Sequence, residues 1–177
     1  MLRLPFRYSV IGTSGSGKTF VAAEIARRLH IPHIELDALH WRKGWKETPL
    51  PQFRHLVDEA TSGDAWVVDG NYRKVRDIVW RKATAVVWLD LPFRTVFWGT
   101  VWRTLTRVAT REELWNENVE GLDALIGLDS MPVWVLKTYW RRKEYPRLFA
   151  KRVYSHLRVI RLRSRREVSN WLASLSS

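Results

Sequence analysis

The chain has 177 residues, of which 46% are hydrophobic and 27% charged, so it suits one globular domain and is not a disordered or low-complexity chain. It contains no cysteine, which excludes disulfide bonds and thiolate metal sites. The formal net charge of +12 favours anionic partners such as nucleotides, other phosphates or nucleic acid. The most apolar helical pattern (92–109) carries arginines and the N-terminus lacks signal-peptide features, so we expect a cytoplasmic protein without a membrane span.

Short apolar strands alternate with helices along the chain. The pattern predicts strands at 7–12, 32–37, 65–70, 84–92 and 157–162. Between and after them it predicts helices at 18–30, 48–63, 72–83, 92–109, 133–152 and 164–175, and the helix at 133–152 is expected to be interrupted or to end near Pro146. Such alternation is typical of a parallel sheet covered on both faces, so we expect a single α/β domain over 1–177.

The polar and acidic segment at 110–132 lies between two predicted helices. We interpret it as an insertion that forms a mobile lid. Thr110 and Glu113 have the spacing of a capping box, as do Ser164 and Glu167, which predicts a helix start at each place.

The residues between the first strand and the first helix match the pattern G-x-x-x-x-G-K-[ST]. Glycines let successive backbone N–H groups point inward at a phosphate chain, and the helix N-terminus adds further donors. We expect Lys18 to reach the β- and γ-phosphates and Thr19 to bind Mg²⁺. The loop therefore predicts a nucleoside triphosphate site with magnesium. Its residues are Gly12, Thr13, Ser14, Gly15, Ser16, Gly17, Lys18 and Thr19.

Five stretches together resemble the adenylate-kinase-like P-loop kinases, in particular the bacterial branch labelled DNA topology modulation protein. They are GTSGSGKT, ELDALHW, WVVDGNY, WLDLP and VIRLRSRREVSNWL. The resemblance covers almost the whole chain. It implies a P-loop NTPase fold in which helices flank a five-stranded parallel sheet, with an acceptor-binding segment at about 38–64 and a helical lid at about 108–133. It also implies ATP and Mg²⁺ as cofactors, and transfer of the γ-phosphoryl group to a nucleotide or small-metabolite acceptor.

Acidic residues stand at the carboxyl ends of predicted strands, where parallel sheets bind ligands. We expect Asp69 to hold Mg²⁺, directly or through water, with a capping role in a turn as the alternative. The sequence DGNYR at this point departs from the DGFPR of adenylate kinases, which argues against AMP as the acceptor. The resemblance implies that Asp37 orients or deprotonates the acceptor hydroxyl. Glu35 would share its strand face or form a salt bridge, and Asp90 is interpreted as a structural cap.

Aromatic and polar residues near these acids are candidates for acceptor binding. Trp41 and Trp45 flank two cations, so Trp41 either receives an aromatic acceptor or packs under the neighbouring helix. His40 is interpreted as a surface histidine. The residues expected to contact the acceptor are Glu35, Asp37, Trp41, Asn71, Tyr72 and Arg73.

Arginines recur every four residues at 103, 107 and 111 on the long helix that leads into the lid. The resemblance implies that arginines at this place clamp phosphates, so Arg107 and Arg111 join Lys18 and Asp37 as predicted catalytic residues. Arg141 and Arg142 form a second pair from which one side chain would enter the site. The alternative for all of these arginines is a solvated basic surface.

The residues favour a kinase and leave two other functions open. From Lys137 to Arg166 there are twelve Lys or Arg residues and one acid, with aromatic residues between them. This stretch supports an ATP-dependent nucleic-acid-binding protein as the alternative function, although it matches no defined nucleic-acid module. A nucleotide-binding switch with negligible turnover is the third possibility. The oligomeric state is left open.

Overall fold

Secondary structure is defined for residues 6–110, 113–119 and 130–175, which the computed structural model describes. The strands are β1 (Arg7–Gly12), β2 (His33–Glu35), β3 (Trp41–Arg42), β4 (Lys46–Glu47), β5 (Trp66–Asp69), β6 (Ala85–Leu89), β7 (Glu113–Leu114), β8 (Asn118–Val119) and β9 (Arg158–Leu162). The helices are α1 (Lys18–Leu29), α2 (Leu36–His40), α3 (Leu50–Ala60), α4 (Arg76–Lys82), α5 (Phe93–Thr110), α6 (Met131–Thr138), α7 (Tyr145–Phe149) and α8 (Arg165–Ser174). Short 3₁₀ turns cover Trp115–Glu117, Tyr139–Glu144 and Arg152–Tyr154.

A parallel sheet of five strands, in the order β2-β5-β1-β6-β9, forms the centre of the described part of the chain. The strand order reverses at β1, so the loops after neighbouring strands diverge and open a crevice at their carboxyl ends. The register pairs Asp69 of β5 with Val10 on one side and Glu35 on the other. This sheet and its flanking helices confirm the predicted α/β fold class.

Both faces of the sheet are covered, which explains why its central strands are apolar throughout. Val10 and Ile11 point to opposite faces, as successive strand residues must. Helices α1, α5, α6 and α8 pack on the Val10 face, whereas α3, α4 and α7 pack on the Ile11 face. No helix within the described residues is long and apolar enough to cross a membrane.

The predicted strand at 32–37 is wrong at its end, because β2 stops at Glu35 and Leu36 begins the short helix α2. The pairing with β5 accounts for this, since β5 itself ends at Asp69 and offers no further partner. Gly70 then turns away with φ 131°, and a Cβ on it would lie 2.8 Å from the Cβ of Leu36. The close approach of the two chains favours glycine here.

Other predicted boundaries differ where helices start or break. The predicted helix at 133–152 is divided into α6, a 3₁₀ turn and α7, with Pro146 in the first turn of α7. The capping box at Thr110 is wrong, since Thr110 ends α5 and its hydroxyl donates to the Thr106 carbonyl at 2.9 Å. The capping box at Ser164 is confirmed, because its Oγ accepts from the Glu167 N–H at 3.1 Å.

The described part of the predicted lid is residues 113–119. Here β7 and β8 form a short antiparallel hairpin around a 3₁₀ turn, in place of the predicted helix. Residues 111, 112 and 120–129 of the predicted lid lie outside the described residues.

Candidate active site

The loop at 12–19 follows β1 and runs directly into α1. Gly17 has φ 87°, a left-handed conformation that closes the loop against the helix and that a side chain would strain. Apart from Ser16, whose hydroxyl is buried within the loop, the predicted nucleotide-binding residues line one large cleft of 2910 Å³. Loop N–H groups and the helix N-terminus supply the donors that a polyphosphate requires, so the residues present fit this ligand.

Lys18 is the cation at this end of the cleft. Its Nζ donates to the Thr13 carbonyl at 3.2 Å. Burial lowers the pKa of Lys18, and the carboxylates of Asp37 and Asp69 oppose that effect by attraction. The two acids that the sequence assigned to the acceptor and to the metal thus favour the charged amine, and the charge of Arg103 disfavours it.

Asp69 and Thr19 form the predicted metal-binding pair. The Thr19 hydroxyl donates to Asp69 Oδ2 at 2.6 Å, and Asp69 is 5% exposed. A hydroxyl beside a carboxylate is the oxygen donor set that Mg²⁺ prefers, so these residues fit the ion. His33 was not predicted; its Nε2 lies 3.3 Å from Asp69 Oδ1. The pairing of β2 with β5 brings them together, and no local motif indicates that pairing.

Asp37 occupies the first turn of α2, where Tyr72 from the loop after β5 meets it. The Tyr72 hydroxyl donates to Asp37 Oδ1 at 2.5 Å. Burial raises the pKa of Tyr72, and the adjacent Asp37 carboxylate raises it further. The hydroxyl therefore stays protonated and holds one carboxylate oxygen in place.

Glu35 does not share a strand face with Asp37, because the chain becomes helical between them. Instead Glu35 Oε2 accepts a hydrogen bond of 2.8 Å from the indole Nε1 of Trp115 in the lid hairpin. Glu35 was predicted to contact the acceptor, whereas in the structure it connects the central sheet to the lid hairpin.

His40 is buried, which corrects the interpretation as a surface histidine. Its ring lies 4.5 Å from that of Tyr72, 5.0 Å from Phe53 and 4.8 Å from Trp41, measured between centroids. Burial lowers the pKa of His40, although Glu47 and Asp37 act in the opposite direction. The histidine is therefore neutral at pH 7, and its ring packs against the ring of Tyr72.

Trp41 and Trp45 lie edge to face with centroids 5.6 Å apart and both line the cleft. They belong to the hairpin of β3 and β4, on which the lid hairpin docks. Asn118, 3% exposed, accepts from the Trp45 N–H at 2.9 Å and donates to the Arg42 carbonyl at 3.0 Å. Asn116 donates to the Trp41 carbonyl at 2.5 Å. These asparagines were not predicted, because their partners lie more than seventy residues away.

The predicted arginines take different positions. Arg103 and Arg107 line the cleft, and the Arg107 guanidinium lies 6.0 Å from the centre of the Trp115 ring. Arg111 lies outside the described residues. Arg141 stands over Trp134 at 5.7 Å.

Arg142 and Asp90 belong to an ion-pair cluster at the end of β6. Arg142 donates to Asp90 Oδ1, and Arg161 of β9 donates to Asp90 Oδ2 at 2.8 and 2.5 Å. Asp90 is 6% exposed, so its role is structural, but it bridges three chain segments and is not a cap. Arg142 lines the cleft, and its guanidinium is bound to Asp90.

The remaining predicted acceptor residues follow β5. Asn71 and Arg73 line the cleft beside Tyr72, and the Arg73 guanidinium pairs with Glu144 at 2.7 Å. The cleft thus joins the phosphate loop, the Asp37–Tyr72 pair and the lid hairpin.

Solved structures of known kinases share this fold. A gluconokinase from Sinorhizobium meliloti 1021 has a TM-score of 0.57 and 23% identity, covering 98% of this chain and 95% of that chain. Shikimate kinases from Bacteroides thetaiotaomicron and Aquifex aeolicus have TM-scores of 0.53 and 0.51, each with 15% identity; the matches cover 96% of this chain, with 95% and 96% of theirs. No protein-family model and no curated protein matches the sequence. The P-loop kinase fold is thus confirmed, and the DNA topology modulation branch stays a prediction.

Proposed function

We propose that this chain is an ATP- and Mg²⁺-dependent phosphotransferase that moves the γ-phosphoryl group to a hydroxyl of a small-metabolite acceptor. One observation carries the proposal: Lys18, Thr19 and Asp37 line one cleft, and the Thr19 hydroxyl donates to Asp69 at 2.6 Å. A nucleotide-binding switch would require the phosphate loop and the metal-binding pair. It would not require a second carboxylate, Asp37, in the same cleft.

The donor half of the cleft is the loop at 12–19, with Lys18 on the β- and γ-phosphates and Thr19 and Asp69 on the metal. Bound Mg²⁺ would neutralise charge on the transferring phosphoryl group. His33 lies against the Asp69 carboxylate on the other side from Thr19 and would limit its rotation.

The acceptor half centres on Asp37. Because Tyr72 occupies Oδ1, the other oxygen, Oδ2, is the one that would accept the proton of the acceptor hydroxyl. The hydroxyl oxygen then forms a bond to the γ-phosphorus, and the bond from that phosphorus to the β–γ bridging oxygen breaks. ADP leaves, and the proton remains on Asp37 until it passes to water.

The lid hairpin closes the acceptor half against water. Trp115 reaches Glu35, while Asn116 and Asn118 bond the backbone of the β3–β4 hairpin. Exclusion of water is required, since water would otherwise take the phosphoryl group. We assign the acceptor segment to 38–64 and the lid to 108–133, with Arg107 and Arg111 as phosphate clamps. Dependence on ATP fits the cytoplasmic location expected from the sequence.

An acceptor panel tests the proposal. ATP consumption is measured with hydroxylated metabolites that include gluconate, shikimate, sugars, nucleosides and nucleoside monophosphates. We expect one chemical class to raise ATP consumption strongly above the rate with water alone. A complete panel without stimulation, by a protein that binds ATP, would contradict a kinase and favour the switch.

Nucleic-acid binding through the basic stretch at 137–166 remains a prediction. Part of its charge is used within the fold, because Arg142 and Arg161 both bind Asp90. Binding to nucleic acid would be detected as an affinity that falls steeply with salt concentration.

A further inference from the structure

Arg76 is the first residue of α4 and lines the cleft. Its guanidinium lies 5.1 Å from the centre of the Trp80 ring and 5.7 Å from that of Tyr145. Trp80 and Tyr145 are themselves buried, so the two rings fix the plane and direction of the guanidinium. The side chain is half-buried, unlike the exposed Arg81 of the same helix.

Among the described residues, no acid forms a salt bridge or hydrogen bond with Arg76. Glu144 nearby is bound by Arg73 at 2.7 Å, and Asp77, the next residue in the chain, is bound by Arg54 at 2.8 Å. Burial lowers the pKa of Arg76 and the positive charge of Arg73 adds to this effect, whereas Tyr145, Tyr154 and Glu144 oppose it. Ring faces attract the cation, but they leave its N–H donors without acceptors.

The position of Arg76 assigns it to the acceptor half of the cleft. It follows the turn that carries Asn71 and Tyr72, and both it and these residues line the cleft. Tyr72 donates a hydrogen bond to Asp37, and Tyr145, one of the two rings that flank Arg76, lines the same cleft. The guanidinium therefore lines the same cleft as Asp37, the group that would receive the acceptor hydroxyl.

We propose that Arg76 is an anion-binding residue of the acceptor site, so that the acceptor carries a carboxylate or phosphate group in addition to its hydroxyl. This inference rests on the proposed function of the cleft. A planar guanidinium offers two parallel N–H donors to either oxyanion, which gives orientation as well as affinity. An acceptor bound through its anion would place its hydroxyl at Asp37 in one orientation.

The test measures anion binding without turnover. The protein is saturated with Mg²⁺ and a non-hydrolysable ATP analogue, which fills the phosphate loop. The melting temperature is then followed against the concentration of inorganic phosphate in one arm and acetate in the other, at constant ionic strength. The variants are Arg76→Met, which keeps the apolar stem against the rings, and Arg81→Gln as the matched control on α4.

We expect the wild type and Arg81→Gln to be stabilised by phosphate, acetate or both, and Arg76→Met to show an apparent Kd weaker by about tenfold or more. The arm that responds identifies the class of oxyanion. Equal responses in Arg76→Met and the wild type, or no response in the wild type, would overturn the inference. If Arg76→Met fails to fold, Arg76→Gln replaces it, because it also removes the charge, and an unchanged Kd in that variant would likewise overturn the inference.

The outcome is separable from that of the proposed function. If anion binding depends on Arg76 but no acceptor raises ATP consumption, the anion site is supported and the kinase function is contradicted. If an acceptor raises ATP consumption and its KM is the same in Arg76→Met as in the wild type, the kinase function is supported and the anion site is contradicted.

Discussion

The Tyr72 hydroxyl donates to Asp37 Oδ1 at 2.5 Å, although the two residues belong to different segments of the chain. The contact fixes the carboxylate through a group that burial keeps protonated. The acceptor site therefore depends on the loop after β5 as much as on α2.

Replacement Tyr72→Phe is expected to lower kcat by about tenfold while the KM for ATP stays unchanged, because the carboxylate loses its fixed orientation. Steady-state kinetics with the acceptor identified from the panel provide the measurement. Tyr154→Phe, which removes a hydroxyl outside the residues lining the cleft, is the control. An unchanged kcat in Tyr72→Phe would show that the contact is structural.

Replacement Thr19→Val is expected to raise the Mg²⁺ concentration needed for nucleotide binding by about tenfold, because one of the two oxygen donors is lost. Calorimetric titrations at several Mg²⁺ concentrations measure this effect. Lys18→Ala should instead weaken nucleotide binding at every Mg²⁺ concentration. A Thr19→Val protein with the Mg²⁺ dependence of the wild type would contradict the assignment of the metal pair.

Replacement Asn118→Ala is expected to loosen the lid hairpin, since it removes hydrogen bonds to Trp45 and Arg42 at a buried position. ATP hydrolysis without acceptor should rise relative to transfer, because water then enters the site. The ratio of the two rates is the measurement, and Asn170→Ala on the exposed face of α8 is the control. If the ratio is unchanged, closure of the acceptor half does not depend on this docking.

His40 predicts a pH dependence of stability. Its pKa in the folded protein is lowered by burial, whereas the unfolded chain titrates near pH 6.5, at about the ordinary value for histidine. The unfolded state therefore binds more protons, and the free energy of unfolding should fall as the pH drops below about 6.5. In His40→Gln this decline between pH 7 and pH 5 should be smaller, as followed by denaturant titration. The exposed His55, replaced in His55→Gln, should leave the decline unchanged.

The sequence predicted those parts of the site that depend on local pattern. The phosphate loop needs a glycine-rich turn between a strand and a helix, and Asp69 follows an apolar strand, so both are visible in the sequence. The position of Asp37 was mistaken because the length of β2 is set by its partner β5. The contacts of Asn118 and Arg76 join distant segments, and no local spacing indicates them.

The role of Asp90 also depends on contacts between distant segments, which local sequence patterns do not indicate. Asp90 precedes Leu-Pro at the end of a predicted strand, and this position favours a structural cap. The arginines that bind Asp90 come from 52 and 71 residues further along the chain. Only the packing of the segment after the lid and of β9 beside β6 brings the three side chains together.

Transfer of label from ATP marked on its γ-phosphate is the most direct measurement of the central claim, with the wild type, Asp37→Asn and the exposed-site control Asp64→Asn compared. The wild type and control should place the label on the acceptor. Asp37→Asn should bind ATP normally and transfer label at least about a hundredfold more slowly. Label that appears only in inorganic phosphate, or equal transfer by Asp37→Asn and the wild type, would contradict a phosphotransferase built around Asp37.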